Sequence, residues 1–239
     1  MANEYFDFKN FRIEQSDCAM KVGTDSVLFG CWAGTPAKSP YILDIGCGTG
    51  VLCLFLAQRY PEAMIIGIEI DPRAAQQAHR NINNSKYKDR ISIVNADFLS
   101  YSPDITFDLI ISNPPYFKSS LQAPQSQRSQ ARHEECGLSI ESLLSHACTL
   151  LKDDGEIALI TPHPRLEDLR SYAAYNRIKP SRITHVQSKP DKQPSRLLSS
   201  WCKAYNSKAG YKETTLILND PDNKRSKEFM ALTSDFYIK

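Results

Sequence analysis

The sequence lacks a long uninterrupted run of apolar residues. No stretch of the 239 residues approaches the ~18 consecutive apolar residues that a membrane-spanning helix needs, so we predict no membrane span. The first residues also lack the basic and apolar segments of an export signal, and we expect a cytoplasmic protein. A chain of this length suits one sizeable α/β core, and we predict a single domain over residues 1–239.

Closely paired cysteines are also missing. The chain has seven cysteines, which is an odd number, and no two of them form a Cys-x-x-Cys pair. Disulfide frameworks use even numbers of cysteines, and zinc sites usually contain closely spaced pairs. We therefore predict reduced, mostly buried thiols and no metal site.

A net charge of only +2 conceals a basic region. Residues 163–212 hold 11 Lys and Arg against 3 Asp and Glu, and their basic residues alternate with aromatic ones. Such a mixture suits single-stranded or looped nucleic acid, and we predict a polyanion-binding face. A solvated surface that has collected lysines by chance is the alternative. The residues concerned are Lys189, Lys192, Arg196, Lys203 and Lys208, with Trp201, Tyr205 and Tyr211.

A strand, a glycine-rich turn and a helix follow one another from residue 41. The apolar strand 41–45 contains Asp44 and leads into the glycine turn, residues 46–50, with glycine at positions 46, 48 and 50. These glycines permit positive φ and a close approach of the backbone to a ligand. A dinucleotide fingerprint would need a third glycine where Val51 stands. The acid at position 44 favours a cationic ligand or an amino group instead.

The next two strands also end in residues that suit a nucleotide. Glu69 and Ile70 end the second strand, where such folds bind ribose hydroxyls, and Asp97 with Phe98 follows the third. We expect Asp97 to accept from an adenine amino group and Phe98 to pack on the ring. Because the carboxyl ends of parallel strands meet at one crevice, we predict one site there and a doubly wound α/β fold.

The tetrad Asn113-Pro114-Pro115-Tyr116 follows a fourth apolar strand. Two successive prolines remove two backbone donors and leave the Pro114 carbonyl as a stiff, free acceptor. The Asn113 side chain adds a second acceptor, and the Tyr116 ring offers a stacking surface. This arrangement suits a flat group bearing an NH2, whose two hydrogens both acceptors could take.

Three other segments lie outside this framework. Residues 1–34 are predicted to form an N-terminal appendage that contributes to the site at the crevice, with a short strand or hairpin arm at 5–13. Residues 117–137, rich in Ser and Gln, are predicted to be a substrate loop; His133 within it is weighed as a general base against a plain surface residue. Strands at 182–187 and 213–218 are predicted to close the sheet as a hairpin, with residues 188–212 as a basic insertion.

These motifs resemble the class I S-adenosylmethionine-dependent methyltransferases, in particular the amino-methylating group with an Asn/Asp-Pro-Pro-Tyr/Phe signature. The resemblance covers about residues 20–220 and implies a seven-stranded sheet, mostly parallel, with an antiparallel last strand. It implies S-adenosylmethionine as cofactor and the tetrad Asn113, Pro114, Pro115 and Tyr116 as the catalytic residues. The cofactor-binding residues that it implies are Thr24, Asp44, Gly46, Gly48, Gly50, Glu69, Ile70, Asp97, Phe98 and Asn113.

Within that group, the run from Met20 to Trp32 and the tetrad followed by Phe117 resemble the tRNA family that methylates N6 of adenine 37 in the anticodon loop of a valine tRNA. This resemblance implies a tRNA partner, and we expect a monomer without a metal. It implies RNA contacts through Arg132, Lys189, Lys192 and Arg196. Two alternatives stay open: an N5-glutamine methyltransferase acting on a release factor, which shares the tetrad, and a non-catalytic RNA-binding module on the same fold.

Overall fold

A computed structural model of the chain describes residues 4–16, 21–34, 37–114 and 138–238. Within these ranges the hairpin arm predicted at the N-terminus is a two-stranded sheet of β1 (Tyr5–Asp7) and β2 (Arg12–Glu14). The remaining strands form one sheet: β3 Tyr41–Ile45, β4 Met64–Glu69, β5 Ile91–Asn95, β6 Phe107–Ser112, β7 Leu151–Pro162, β8 Ile178–Gln187, β9 Arg196–Lys203 and β10 Lys212–Ile217. The α-helices are α1 Thr24–Trp32, α2 Val51–Arg59, α3 Pro72–Asn83, α4 Ile140–Leu150, α5 Leu166–Tyr175 and α6 Lys227–Thr233.

The large sheet is doubly wound. Its strand order is β10-β8-β9-β7-β6-β3-β4-β5, and the strands from β7 to β5 in this order are all parallel. Parallel strands need apolar cover on both faces, and here α1, α2, α3 and α6 pack on one face while α4 and α5 pack on the other. The predicted α/β class is confirmed. None of the helices in the described ranges is long and apolar enough to cross a membrane.

The strand count and the closing hairpin differ from the prediction. The sheet has eight strands rather than seven, and β8 pairs antiparallel with β9, inside the predicted basic insertion at 188–212. Residues 213–217 instead belong to β10, the outermost strand, which runs parallel to β8. The antiparallel strand is therefore β9 and not the last strand of the chain. The interior of β9 is buried, and only its terminal residues Arg196 and Lys203 are charged. Because of these two charges, the sequence of this buried strand resembles that of a basic loop.

Candidate functional site

The predicted site residues lie at or just after one end of the parallel strands. Ile45 at the end of β3 pairs with Ser112 at the end of β6, and Glu69 at the end of β4 pairs with Asn95 at the end of β5. We call this end of the parallel strands the carboxyl edge, and it is where open parallel sheets bind ligands. The segments that begin here are the glycine turn, residues 69–71, residues 97–99 and residues 113–114.

The glycine turn has the backbone conformation that its sequence predicts. Gly46, Gly48 and Gly50 have φ angles of 70°, 54° and 77°. The amides of Gly46 and Cys47 donate to the Ile68 carbonyl oxygen at 2.8 and 2.9 Å, which holds the turn against β4. A Cβ atom added at position 46 or 48 would meet no other atom within 4 Å. The turn therefore borders open space, and a ligand there can approach its backbone.

The carboxylate of Glu69 is fixed at the mouth of the glycine turn. Its Oε2 accepts a hydrogen bond from the Gly48 amide at 2.9 Å, and its Oε1 accepts one from the Asp71 amide at 3.0 Å. Each carboxylate oxygen keeps a further lone pair. The half-buried side chain is thus held in one orientation and can still accept from a pair of hydroxyls.

Asp44 is a fully buried acid two residues before the turn. Its Oδ2 accepts from the Cys53 thiol at 3.3 Å, whereas its Oδ1 has no hydrogen-bond partner within the described part of the chain. Burial raises the pKa of Asp44 to about 7; the Cys53 hydrogen bond opposes this rise and the nearby Glu69 charge adds to it. Because a buried acceptor without a partner is costly, this oxygen suits a ligand that brings a donor or a positive charge.

The loop after β5 places its apolar residues differently from the prediction. The Asp97 carboxylate is exposed, and its Oδ1 accepts from the Leu99 amide at 3.0 Å. Phe98 is only 4% exposed, with its ring centroid 4.8 Å from that of His146, so little of its ring is open to a ligand. Exposed apolar surface comes instead from Ile70 and Leu99, which are 66% and 43% exposed. The sequence indicated Ile70 but missed Leu99, because nothing local showed that Phe98 points into the core.

The end of β6 is tied to the end of β3. The buried hydroxyl of Ser112 donates to the Ile45 carbonyl oxygen at 2.8 Å, so the following residues start beside the glycine turn. Asn113 is half-buried there and Pro114 is buried. The predicted residues that lie outside the described ranges are Pro115, Tyr116, Arg132 and His133, with the rest of 117–137.

The N-terminal arm reaches the glycine turn through Asn81 of α3. The Glu14 amide donates to Asn81 Oδ1, and Asn81 Nδ2 donates to the carbonyl oxygens of Glu14 and Thr49, all at 2.9 Å. Asn81 is only 2% exposed, so these bonds are shielded from water. Thr24 begins α1 after this arm, and its contact with a cofactor stays a prediction.

The predicted RNA-contact residues have different surroundings. Lys189 and Lys192 lie in the β8–β9 turn, which is at the carboxyl edge because β9 begins opposite Pro162 at the end of β7. Lys192 is exposed, with its Nζ 3.6 Å from Asp191 Oδ2, and the half-exposed Lys189 donates to the Pro221 carbonyl at 3.2 Å. Arg196 pairs with Asp25 of α1, with 2.7 Å between Nε and Oδ2. Arg196 is thus held by another element of the fold, whereas the Lys192 pair joins two exposed neighbours, and all three RNA contacts stay predictions.

The other basic and aromatic residues of this region lie elsewhere. Trp201 is 1% exposed in the core. Lys203 Nζ and Tyr205 Oη bind Asp153 Oδ1 at 3.1 and 2.6 Å, at the opposite end of β9. The polyanion-binding face stays a prediction, but Trp201 is not part of any surface, and the antiparallel β9 carries Arg196 and Lys203 to opposite ends of the parallel strands.

The fold and the site define the chain as a class I S-adenosylmethionine-dependent methyltransferase. The family model described as Methyltransferase small domain matches residues 34–165. A solved structure of a predicted O-methyltransferase from Agrobacterium tumefaciens has the same fold, with a TM-score of 0.67 at 19% identity, over 88% of this chain and 95% of that chain.

Two relatives are similar over the whole chain. The tRNA1(Val) (adenine(37)-N6)-methyltransferase of Porphyromonas gingivalis is 48% identical over 247 residues, covering 99% of this chain and 96% of the relative. The protein of the same name from Parabacteroides distasonis is 43% identical over 241 residues, covering 100% of both chains. The chain belongs to the family of the tRNA1(Val) (adenine(37)-N6)-methyltransferases.

Proposed function

We propose that this chain transfers a methyl group from S-adenosylmethionine to N6 of adenine 37 in tRNA1(Val). The observation that carries the proposal is that the Asn113-Pro114 end of β6 starts beside a glycine turn anchored to Glu69. Relatives that are 48% and 43% identical over their whole length bear this activity in their names.

The residues around the glycine turn have the chemistry that the methyl donor requires. When bound, S-adenosylmethionine supplies a methyl group activated by a positively charged sulfur. The open space over the turn allows close backbone approach, and the anchored Glu69 oxygens suit the ribose hydroxyls. The unpartnered Asp44 Oδ1 suits a positively charged group or a donor.

At the far side of the site, three exposed side chains suit the adenine of the donor. Ile70 after β4 and Leu99 after β5 present apolar surface, and the exposed Asp97 carboxylate, which also follows β5, can accept from an amino group. We include Leu99 in place of Phe98 as the residue that packs on the base, because Phe98 is occupied in the core.

Catalysis by this chain is mainly a matter of position. The amine of adenine is a poor nucleophile because its lone pair is delocalised into the ring. The Asn113 side chain and the Pro114 carbonyl accept its two hydrogens, which turns the lone pair out of conjugation and holds it in line for attack. Preorganised acceptors of this kind act without reorganisation at the moment of reaction. In our proposal, one N6 hydrogen leaves as a proton to solvent after transfer.

The tRNA is proposed to meet the β8–β9 turn, where Lys189 and Lys192 lie at the same edge as Asn113. Phosphate contacts from lysines position a nucleic acid without reading its sequence. We further propose that the protein works as a single-domain monomer in the cytoplasm, where its substrate is found. Light scattering of the purified protein tests the oligomeric state.

The experiment that tests this function is methylation of unmodified bulk tRNA with methyl-labelled donor, followed by digestion to nucleosides. N6-methyladenosine in the valine tRNA is the expected product. In a parallel assay with a release factor as the acceptor, label in its glutamine would support the N5-glutamine methyltransferase. Absence of donor binding by calorimetry would support a non-catalytic module.

A further inference from the structure

A cavity of about 500 Å³ lies at the opposite end of the sheet from the proposed catalytic site. We call it the amino-edge cavity, because the parallel strand β10 begins there at Lys212, opposite Arg182 of β8. Its walls come from the ends of α1 and α2, from β7 and β8, and from the chain that enters β10. The side chains that matter are Trp32, Arg59, Glu156, Ser181, Arg182 and Lys212.

A β-bulge lies in the wall of this cavity and contains the lining residue Ser181. Pro180 of β8 pairs with Trp201 of β9, and Arg182 pairs with the adjacent Ser200, so Ser181 between them is an extra residue. Bulges of this kind redirect side chains and are common beside functional sites. Ser181 is 8% exposed, and its Oγ has no hydrogen-bond partner among the described residues. This hydroxyl is therefore buried in the cavity wall without a partner, at a cost in stability.

The cavity also concentrates positive charge. Lys212 is the strand partner of Arg182, and neighbouring like charges on a sheet are destabilising. Arg59 adds a third cation and Glu156 is the one acid among the described lining residues. Burial lowers the pKa of Arg182; the Glu156 charge opposes this change, and Arg59 contributes to it. The excess charge is thus compensated only in part by the protein.

The guanidinium of Arg182 is held in place with donors to spare. It lies 3.7 Å above the Trp32 ring, and its Nη2 donates to the Trp32 carbonyl oxygen at 2.8 Å. Within the described part of the chain, this is the only hydrogen bond that Arg182 makes. Its Nε and Nη1 donors therefore remain for a ligand. These N–H groups lie on different sides of the flat guanidinium, and each can donate to a phosphate oxygen.

We propose that the amino-edge cavity binds a phosphate monoester, with the Arg182 guanidinium and the Ser181 hydroxyl as donors. Its volume is in the range of small-molecule sites and is large enough for a mononucleotide. The phosphate comes either from a free nucleotide or from an RNA. This site is independent of methyl transfer, which we place at the other edge.

Calorimetric titration of the full chain with uridine 5′-monophosphate tests the proposal, because this probe lacks the adenine of the methyl donor. Uridine is the phosphate-free control and should bind at least tenfold more weakly. Ser181→Ala should weaken the nucleotide about threefold or more. Because the replaced hydroxyl has no partner, the same variant should melt at the same temperature as the wild type or higher. A purely structural serine would not show this combination.

Arg182→Gln should weaken the nucleotide tenfold or more, and its melting temperature must be measured because Arg182 also contacts Trp32. Lys88→Gln, at an exposed lysine before β5, is the matched control and should bind like the wild type. Displacement of the probe by an oligouridylate that carries a 5′-terminal phosphate would identify the end of an RNA as the source, and no displacement would identify a free nucleotide. The proposal is overturned if millimolar probe does not bind, or if both cavity variants bind it unchanged.

Discussion

The two edges of the sheet carry opposite charges around their open spaces. At the carboxyl edge the polar side chains that face the site are acids and acceptors, namely Asp44, Glu69, Asp97 and Asn113. At the amino edge they are cations with one acid, namely Arg59, Arg182, Lys212 and Glu156. One edge therefore suits a cationic methyl donor and an amine, and the other suits an anion. The sheet thus supplies an open space at each edge, whereas the charge of the side chains around that space selects the ligand.

The two edges also differ in how the chain builds them. Each segment of the carboxyl edge directly follows the strand that positions it, as the glycine turn follows β3. The amino-edge cavity is assembled from distant parts, since Trp32 accepts from Arg182, which is 150 residues away. The first edge can therefore be located by motifs, and the second becomes visible only in the folded chain.

The largest expected effect concerns the tetrad. Asn113→Ala removes one of the two proposed acceptors for the N6 hydrogens, and we expect methyl transfer to slow by about 10²-fold or more. Single-turnover assays with saturating donor and tRNA measure the chemical step. Saturating donor keeps any loss of the predicted Asn113 contact with the cofactor out of this rate. A rate within a few-fold of wild type would remove Asn113 from catalysis.

Next in size is the cofactor anchor. Glu69→Ala removes the proposed acceptor for two ribose hydroxyls and frees the Gly48 and Asp71 amides that it holds. We expect donor binding to weaken by about 1.5 to 3 kcal/mol, as for loss of charge-assisted hydrogen bonds. Calorimetry measures this change, and nucleotide binding at the amino edge should be unaffected. Equal affinity in both proteins would place the ribose elsewhere.

A smaller effect, of roughly tenfold, is expected from pH. The Asp44 pKa of about 7 means that the free protein carries a neutral acid below this pH. A positively charged donor favours the ionised form, so its affinity should rise roughly tenfold between pH 6 and 8. Asp44→Asn should bind weakly at every pH and lose this dependence. A rise of the same size in the variant would assign the titration to another group.

The raised pKa of Asp44 also predicts how the stability of the folded protein changes with pH. Between the ordinary Asp pKa of 3.8 and about 7, the folded protein holds a proton that the unfolded chain has lost. Unfolding free energy should therefore fall as pH rises through this window, and Asp44→Asn should flatten that fall. Denaturant melts of the donor-free protein at several pH values provide the measurement.

The smallest effect is expected at the β8–β9 turn. Replacing Lys189 and Lys192 by Gln should weaken tRNA binding a few-fold and reduce the slope of log affinity against log salt by about 2, since each lost phosphate contact removes about one unit. The matched control replaces Lys203 and Lys208 at the other edge and should leave the slope unchanged. Equal slopes in all three proteins would contradict a tRNA contact at this turn.

Local motifs accounted for the parts of the molecule that depend on neighbouring residues. The glycines of the turn needed positive φ, and Glu69 followed an apolar strand at the expected distance, so both could be placed from the sequence. The exposed Leu99 could not be recognised, because the choice between Phe98 and Leu99 as the buried residue depends on packing against α4.

Long-range pairing explains what the sequence could not show. The RNA contact of Arg196 stays a prediction, and its ion pair with Asp25, which is 171 residues earlier, had no sequence signal. The strand β9 was missed because its ends are charged, although its interior is buried between β7 and β8. The bulge at Ser181 has no sequence signal of its own, since it is defined by the register of β8 against β9.

The most direct test of the division between the edges is mapping of backbone amide NMR shifts in the 27.0 kDa chain. Titration with S-adenosylhomocysteine, the demethylated donor, should move the amides of residues 46–50, 69–71 and 97–99. The amides of 181–182 and 210–212 should stay in place and respond to uridine 5′-monophosphate instead. Movement of residues 181–182 by the demethylated donor, with the glycine turn unmoved, would contradict the assignment of the carboxyl edge to methyl transfer.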